Sequence, residues 1–570
     1  MKTITQPIVR IACSVLLMFF ANSCTDLEET LYDRITSDNF LQTRDDVIRD
    51  FLRSFEHGYW SIQGGGLYYA QELPSDELMT PNRDGDWFDG GLYQRSHYHT
   101  WTDQDGYTSD MWNALYQGIS LATNSLEDIH GIDPARYELT EAEKADFVAE
   151  LRTLRAWYHL RAFDLYRNIP LVTKVKGEKL MPPQSSPQEV FDFIERELIE
   201  SIPGLPTREQ LGKDAIGRWT KGGAAALLVR LYLNAKVYID QDKFAECAAI
   251  CEKFIAGEYG NYALETRWDA PFDYTNSTSA ETVFGFPSSF AKTHWHYDGG
   301  MFGWMAPHQA GKYFGLSGFG FNTRYALQPG RDVDSVEYPF ALGKPFVKFQ
   351  KYPDDFRLKK YRNLGNSTRE GMFLYGYLPY VENGETKYVQ SNKNYTIFSR
   401  DQVGFFKNTP PGQVPADKVS NMDHADDNSG VWLVKYPFYP TEDANKLGSA
   451  YAEIRYAEIY YSLAECKYRA GDKAGAAILL NDVRKRNYPD GSTSLYAPDG
   501  SQLTDIEMID EWGREFIGEG RRRTDLIRWD FFNKGTWWDK QPDADDHTKI
   551  YPIGQKVTNL TPTLNPNPGY

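Results

Sequence analysis

The feature that most constrains this chain is a pair of apolar helical stripes separated by a tight polar break. Ala224, Leu227, Leu228, Leu231, Tyr232 and Ala235 recur at three- and four-residue steps, the period of one helix face. Ile239-Asp240-Gln241-Asp242 interrupts the pattern. Phe244, Cys247, Ala248, Cys251 and Phe254 then resume it. Trp219 to Ile255 therefore reads as a helical hairpin of tetratricopeptide (TPR) size. One hairpin cannot bury its own apolar face, so several must stack.

Three further pairs fit the same reading. One runs from Tyr451 to Arg486, broken at Gly471-Asp472, with Ala452, Tyr456, Ile459 and Leu463 on its first stripe. Another joins Ala145–Tyr166 to Pro187–Ile199, whose start, Ser186-Pro187-Gln188-Glu189, is a capping box with Pro at the first helical position. The last joins Asp45–Phe55 to Ser109–Leu126. Thr504 to Phe532 returns to helix behind a second capping box, Thr504-Asp505-Ile506-Glu507. Residues 257–445 have another character, rich in Gly, Pro, Asn and aromatics and rarely helical for three turns. They read as loops, short strands and short helices laid on the scaffold, the setting in which binding residues concentrate. Gln541 to Tyr570 reads as an extended surface segment. The fold class expected is mainly α, in four regions: residues 1–23, 24–256, 257–445 and 446–570.

The composition narrows the function. The formal charge of −17 over 570 residues argues against a nucleic-acid partner, which needs a basic face. Aromatic residues make up 15% of the chain, enough both to fill a core and to build flat ligand platforms.

The N-terminus reads as an export signal. Lys2 and Arg10 precede the apolar run Ile11–Ala21, which is shorter than the ~20 residues a bilayer span needs. Ala21-Asn22-Ser23-Cys24 resembles the lipobox of bacterial lipoproteins, with Cys24 as the lipidated residue. The acidic residues behind it, Asp26, Glu28 and Glu29, resemble a surface-export signal. The alternative is ordinary signal cleavage with Cys24 incidental. Cys247, Cys251 and Cys466 remain, and a pair one helical turn apart suits a buried core face better than half a metal site.

Several separated motifs carry a family resemblance. They are Leu151-Arg152-Thr153-Leu154-Arg155-Ala156-Trp157-Tyr158, Gly217-Arg218-Trp219-Thr220-Lys221-Gly222-Gly223, Ile454-Arg455-Tyr456-Ala457-Glu458, Arg514-Glu515-Phe516, Glu519-Gly520-Arg521 and Asp525-Leu526-Ile527-Arg528-Trp529. With the ending Asn567-Pro568-Gly569-Tyr570, the chain resembles the SusD/RagB family of outer-membrane nutrient-binding lipoproteins over nearly its whole length. Tyr551-Pro552-Ile553-Gly554 has Gly where the family usually has Pro, a departure expected to touch only a surface strand. Arg152, Arg155, Arg455, Glu519 and Arg521 are read as scaffold ion pairs, since a buried charge needs a partner.

The resemblance implies a lipid-anchored, exterior-facing outer-membrane protein. Such a protein forms a lid over a SusC-like TonB-dependent transporter, captures an oligosaccharide and passes it on without catalysis or cofactor. A peptide ligand, as in RagB-like uptake proteins, is the first alternative. A glycoside hydrolase, which needs only two carboxylates, is the second. The chain lacks His-Glu-x-x-His, Gly-x-Ser-x-Gly and the phosphate-binding Gly-Lys-Ser/Thr signatures.

A sugar presents an apolar C–H face and a hydroxyl rim, so its binder needs aromatic faces with convergent polar groups. The early stretch from Pro81 through His97 and His99 to Trp101, read as loop, offers Trp87 as platform and Arg83, Asp84 and Asp86 as hydroxyl partners, with Tyr93 close by. A second cluster runs His294-Trp295-His296-Tyr297-Asp298-Gly299-Gly300, with Phe302 and Trp304, followed by Tyr313, Phe314 and Asn322. Trp295, Trp304 and Asn322 are its site candidates. Trp101 and Trp112 are assigned to packing. The pairs His97/His99 and His294/His296 alternate as metal ligands on a strand would, but no metal is assigned.

Overall fold

The computed structural model describes residues 41–177, 181–288, 303–316, 321–440 and 448–570. The export signal, Cys24, and the stretch with His294, Trp295 and His296 lie outside the described residues. Residues 49–570 make one compact unit.

The main helices are α1 (Arg44–Gln63), α2 (Gly106–Gly131), α3 (Glu141–Tyr166), α4 (Pro187–Ser201), α5 (Lys221–Leu233), α6 (Phe244–Ile255), α7 (Tyr456–Arg469), α8 (Lys473–Arg484), α9 (Asp505–Phe516) and α10 (Arg522–Arg528). From α2 to α8 each packs on the next in a continuous array. The apolar stripes read from the sequence are the buried faces: Leu227, Leu228 and Leu231 on α5, Cys247, Cys251 and Phe254 on α6, Ile459 and Leu463 on α7. The Ser186 capping box forms in full, with Ser186 accepting from the Glu189 N–H and the Glu189 carboxylate accepting from the Ser186 N–H.

The array is not broken where the sequence is. α7 packs on α6 although some 200 residues separate them. The chain leaves the repeat after α6 and re-enters it at α7. The two ends of the excursion are tied by β2 (Thr282–Phe286) and β4 (Tyr451–Arg455), which pair antiparallel with Tyr451 opposite Phe286 and Arg455 opposite Thr282. This corrects the reading of Ala452 as helical, since it lies in β4 and the helix starts at Tyr456. Two more strands, β1 (Leu78–Met79) and β3 (Ala326–Leu327), join the early region to the excursion with Leu78 opposite Leu327 and Met79 opposite Ala326.

Other expectations need adjustment. α2 lies chiefly along α3, while α1 joins it through His57, whose Nε2 is 2.8 Å from the Ala114 carbonyl. The second capping box is half made. Thr504 accepts from the Glu507 N–H, but the Glu507 carboxylate turns to Arg514 and to the Tyr496 hydroxyl 2.7 Å away. The C-terminal segment is not a surface strand: Tyr551 and Ile553 are buried, and a Cβ at Gly554 would collide with Ser109 at the start of α2. That contact leaves no room for a side chain at Gly554.

The arginine motifs build a charged core. Arg455 is fully buried, with Nη1 2.8 Å from Glu281 and 3.0 Å from Glu515, and Nη2 2.7 Å from Glu519. Arg155 grips Glu197 from α3 to α4, and Arg521 pairs with Glu458 at 3.0 Å and Asp525 at 2.9 Å. Burial alone would raise the Glu515 carboxyl, but Arg486, Arg455 and Arg357 outweigh it and hold the group at about 2.

Candidate ligand-binding site

The β1–β3 register decides which loops meet. Continuing the pair past Met79 and back from Ala326 brings the turn at residues 81–87 against residues 322–325. The turn is tightly wound. The Arg83 N–H donates to the Asp86 carbonyl at 2.8 Å, and the Gly85 N–H to the Asn82 side chain at 2.9 Å. Asp84, Gly85 and Trp87 all take positive φ, Trp87 at 64°, a conformation costly for a bulky residue unless its surroundings fix it. They do so here, because the indole Nε1 of Trp87 donates to the Asn322 carbonyl at 3.1 Å.

The opposite wall comes from Trp304, whose carbonyl accepts from the N–H groups of Arg324 (3.1 Å) and Tyr325 (2.8 Å). A short helix, Leu92–His97, rather than the expected loop, carries Tyr93 to the same place. At the centre lies the Arg324 guanidinium, 4.6 Å from the Trp304 ring, 4.8 Å from Tyr325, and 5.4 Å from both Trp87 and Tyr93. Four aromatic rings around one cation form a cation–π cage. Burial raises the Tyr93 phenol above its ordinary range, so it stays neutral.

Four expected residues, Trp87, Tyr93, Trp304 and Asn322, thus converge from stretches more than 200 residues apart. Asp84 and Asp86 sit exposed on the rim, held by Lys407 at 2.9 Å and Lys393 at 3.1 Å. The hydrogen bond from Lys407 holds the Asp84 carboxyl below its usual range.

Arg83 does not present itself to a ligand. It is fully buried, its Nη1 donates to the carbonyls of Asp426 and Ser429 at 2.8 Å each, and its guanidinium lies over Trp432. It anchors the turn from beneath. Trp295 lies outside the described residues. Arg324 and Tyr325 were missed. Their signal was position alone, immediately after Asn322-Thr323.

The packing assignments hold. Trp101 is buried with Nε1 on the Tyr570 hydroxyl at 2.7 Å, and Trp112 stacks on Tyr116. His97 meets Asp539 at 2.6 Å, while His99 meets Asp543 at 2.8 Å and the Pro74 carbonyl at 2.7 Å, so the two rings serve the fold. Burial lowers the His99 imidazole to about 4. Among the described residues no cluster of His, Cys, Asp or Glu could hold a metal ion. A wide groove lies elsewhere, beside α6 and α7, lined by Phe244, Lys467, Arg469 and Trp529. Its Arg469 is already paired with Glu465 at 2.9 Å.

A TPR-type helical stack carries a long irregular excursion whose loops close around an aromatic cluster, the candidate site. The chain belongs to the SusD family, whose model matches residues 265–570. A second family model, described as starch-binding and associating with the outer membrane, matches residues 60–233. The starch-binding protein SusD of Bacteroides thetaiotaomicron is 23% identical over 526 residues, covering 88% of this chain and 85% of that protein. Among solved structures, surface glycan-binding protein A from Bacteroides uniformis superposes with a TM-score of 0.64 at 16% identity, covering 92% of this chain and 99% of that one. A SusD homolog from B. thetaiotaomicron gives 0.66 at 18% identity, covering 94% and 98%. B. fragilis NanU gives 0.64 at 16% identity, covering 94% and 99%. These structural likenesses concern the fold.

Proposed function

We propose that the protein is a cell-surface glycan-binding lipoprotein that captures an oligosaccharide on the Trp87–Trp304 cluster and delivers it to a SusC-like TonB-dependent transporter. In this reading residues 1–23 are the signal peptide and Cys24 carries the lipid that holds the chain to the outer membrane, facing outward. Regions 24–256 and 446–570 supply the scaffold, and 257–445 supplies most of the site. The observation that carries the reading is the convergence, from distant stretches of chain, of the half-buried rings of Trp87 and Trp304 over the buried ring of Tyr93. The relatives named for starch and for surface glycans support the same ligand class.

The action proposed is binding without catalysis, with no cofactor and no nucleic acid. A glycosidase needs a carboxyl raised toward neutrality as its acid. Asp84, lowered by Lys407, is the opposite case. An aromatic platform open to water should bind with a Kd of ~1 μM to ~1 mM.

The test is calorimetry of the lipid-free protein from Thr25 onward against a glycan panel, with a peptide pool alongside and reducing ends assayed afterwards. Binding to one glycan family that is left intact supports the proposal. Heat from peptides and silence from glycans assigns the protein to peptide uptake instead, and release of reducing sugar makes it a hydrolase.

A further inference from the structure

We propose that the ligand of this site carries a carboxylate, as in an oligosaccharide containing a uronic or sialic acid, and that Arg324 anchors it. The inference rests on the reading of the cluster as a glycan site and specifies its substrate class.

Arg455, Arg514, Arg522 and Arg528 are buried with a carboxylate beside each. Arg83 and Arg400 lack one but donate to backbone carbonyls, and Arg167, set over Phe163 and Tyr238, has the field of Asp164. Arg324 is largely enclosed by rings and, among the described residues, has no side-chain hydrogen bond and no ion pair. Its Nε is buried without a partner, while its terminal nitrogens still touch solvent. Asp89, whose field reaches it, is exposed and stands off from it. A cation held in low dielectric without a counter-ion attracts an anion strongly.

The rings already satisfy the apolar faces of the guanidinium. What remains open is its edge, a planar fork that matches a carboxylate with two parallel hydrogen bonds. Asn322 supplies the second half of the recognition. Its Oδ1 is buried without a partner next to the cage, an acceptor suited to a sugar hydroxyl. An acidic sugar would lay its ring on Trp87 or Trp304, its carboxylate on Arg324 and a hydroxyl on Asn322. A neutral sugar would leave the arginine uncompensated.

Three matched pairs test this by calorimetry: oligogalacturonate against its methyl ester, sialyllactose against lactose, and glucuronate-bearing against plain xylo-oligosaccharide. A neutral dextrin is included. The expected result is that at least one acidic member binds ten times or more tighter than its neutral twin, and that Arg324→Gln erases the preference while Arg324→Lys retains part of it. Thermal melts check that both variants fold. If Arg324→Gln does not fold, the preference in the unaltered protein is measured from 50 to 500 mM salt, where an ionic anchor predicts its decline. Equal binding of both twins, a preference for dextrin, or an acid preference that survives in Arg324→Gln and in high salt overturns the inference while leaving glycan capture standing. Silence on every glycan, with peptide binding, overturns both.

Discussion

Arg83 and Arg324 illustrate how placement decides the role of a side chain. Both lie near the Trp87–Trp304 cluster, both are largely enclosed, and both face an aromatic ring. Arg83 donates to two backbone carbonyls and serves the fold. Arg324 has no such partner. Replacing Arg83 with Met should therefore destabilise the protein by about 1–3 kcal/mol, because the carbonyls of Asp426 and Ser429 lose their buried donor. Urea unfolding measures this. Unchanged stability with lost ligand binding would return Arg83 to the site. Trp87, Tyr93 and Trp304 were legible from the sequence as Gly-flanked aromatics in polar stretches, whereas Tyr325 was not. The central cation was not, because nothing local separates Arg324 from the chain's other arginines. Its isolation from carboxylates is a property of three-dimensional packing.

The helices are the elements the sequence describes best, since period and caps are local. The errors fall where an element answers to distant chain. Ala452 follows the helical stripe of α7 yet is held in β4 by pairing with β2. Glu507 has capping-box spacing yet is claimed by Arg514. A similar long-range constraint acts at Gly118 in the middle of α2. A Cβ there would run into the ring of Tyr158 on α3, whose hydroxyl also donates to the Ser54 carbonyl on α1 at 2.8 Å. Gly118→Ala removes a helix-interior glycine and should gain up to about 1 kcal/mol by propensity alone. The account predicts net destabilisation by about 1–3 kcal/mol, because α2 and α3 must separate. A higher thermal midpoint in this variant would contradict the packing described.

The whole molecule carries two opposed sets of carboxyls, and its stability should follow both. Burial raises those of Glu72 and Asp401 to about 7. Burial would raise Glu458, Glu507 and Glu515 too, but the arginines around them prevail and hold each at about 2. A raised folded-state value adds stability as pH falls from about 7 toward the ordinary value near 4.5. A depressed one gives stability that is complete above 4.5 and lost as pH falls from there toward 2. The urea midpoint should thus rise modestly from pH 8 to about pH 5 and drop steeply by pH 3. A flat profile between pH 5 and 3 would contradict the charged core.

The continuous helical array was only partly legible. The sequence shows four separated pairs, and the joining of α6 to α7 across 200 residues needs the β2–β4 contact to be seen. That excursion brings Trp304 and Arg324 to Trp87 and Tyr93, and the central claim is the proposal that this locus binds a glycan. Its most direct test is a calorimetric titration of the best glycan from the panel into the unaltered protein, Trp87→Ala and Trp304→Ala. The account predicts a loss of about 2 kcal/mol in binding for at least one of the two variants, with folding intact. Full affinity in both would place the glycan elsewhere and contradict it.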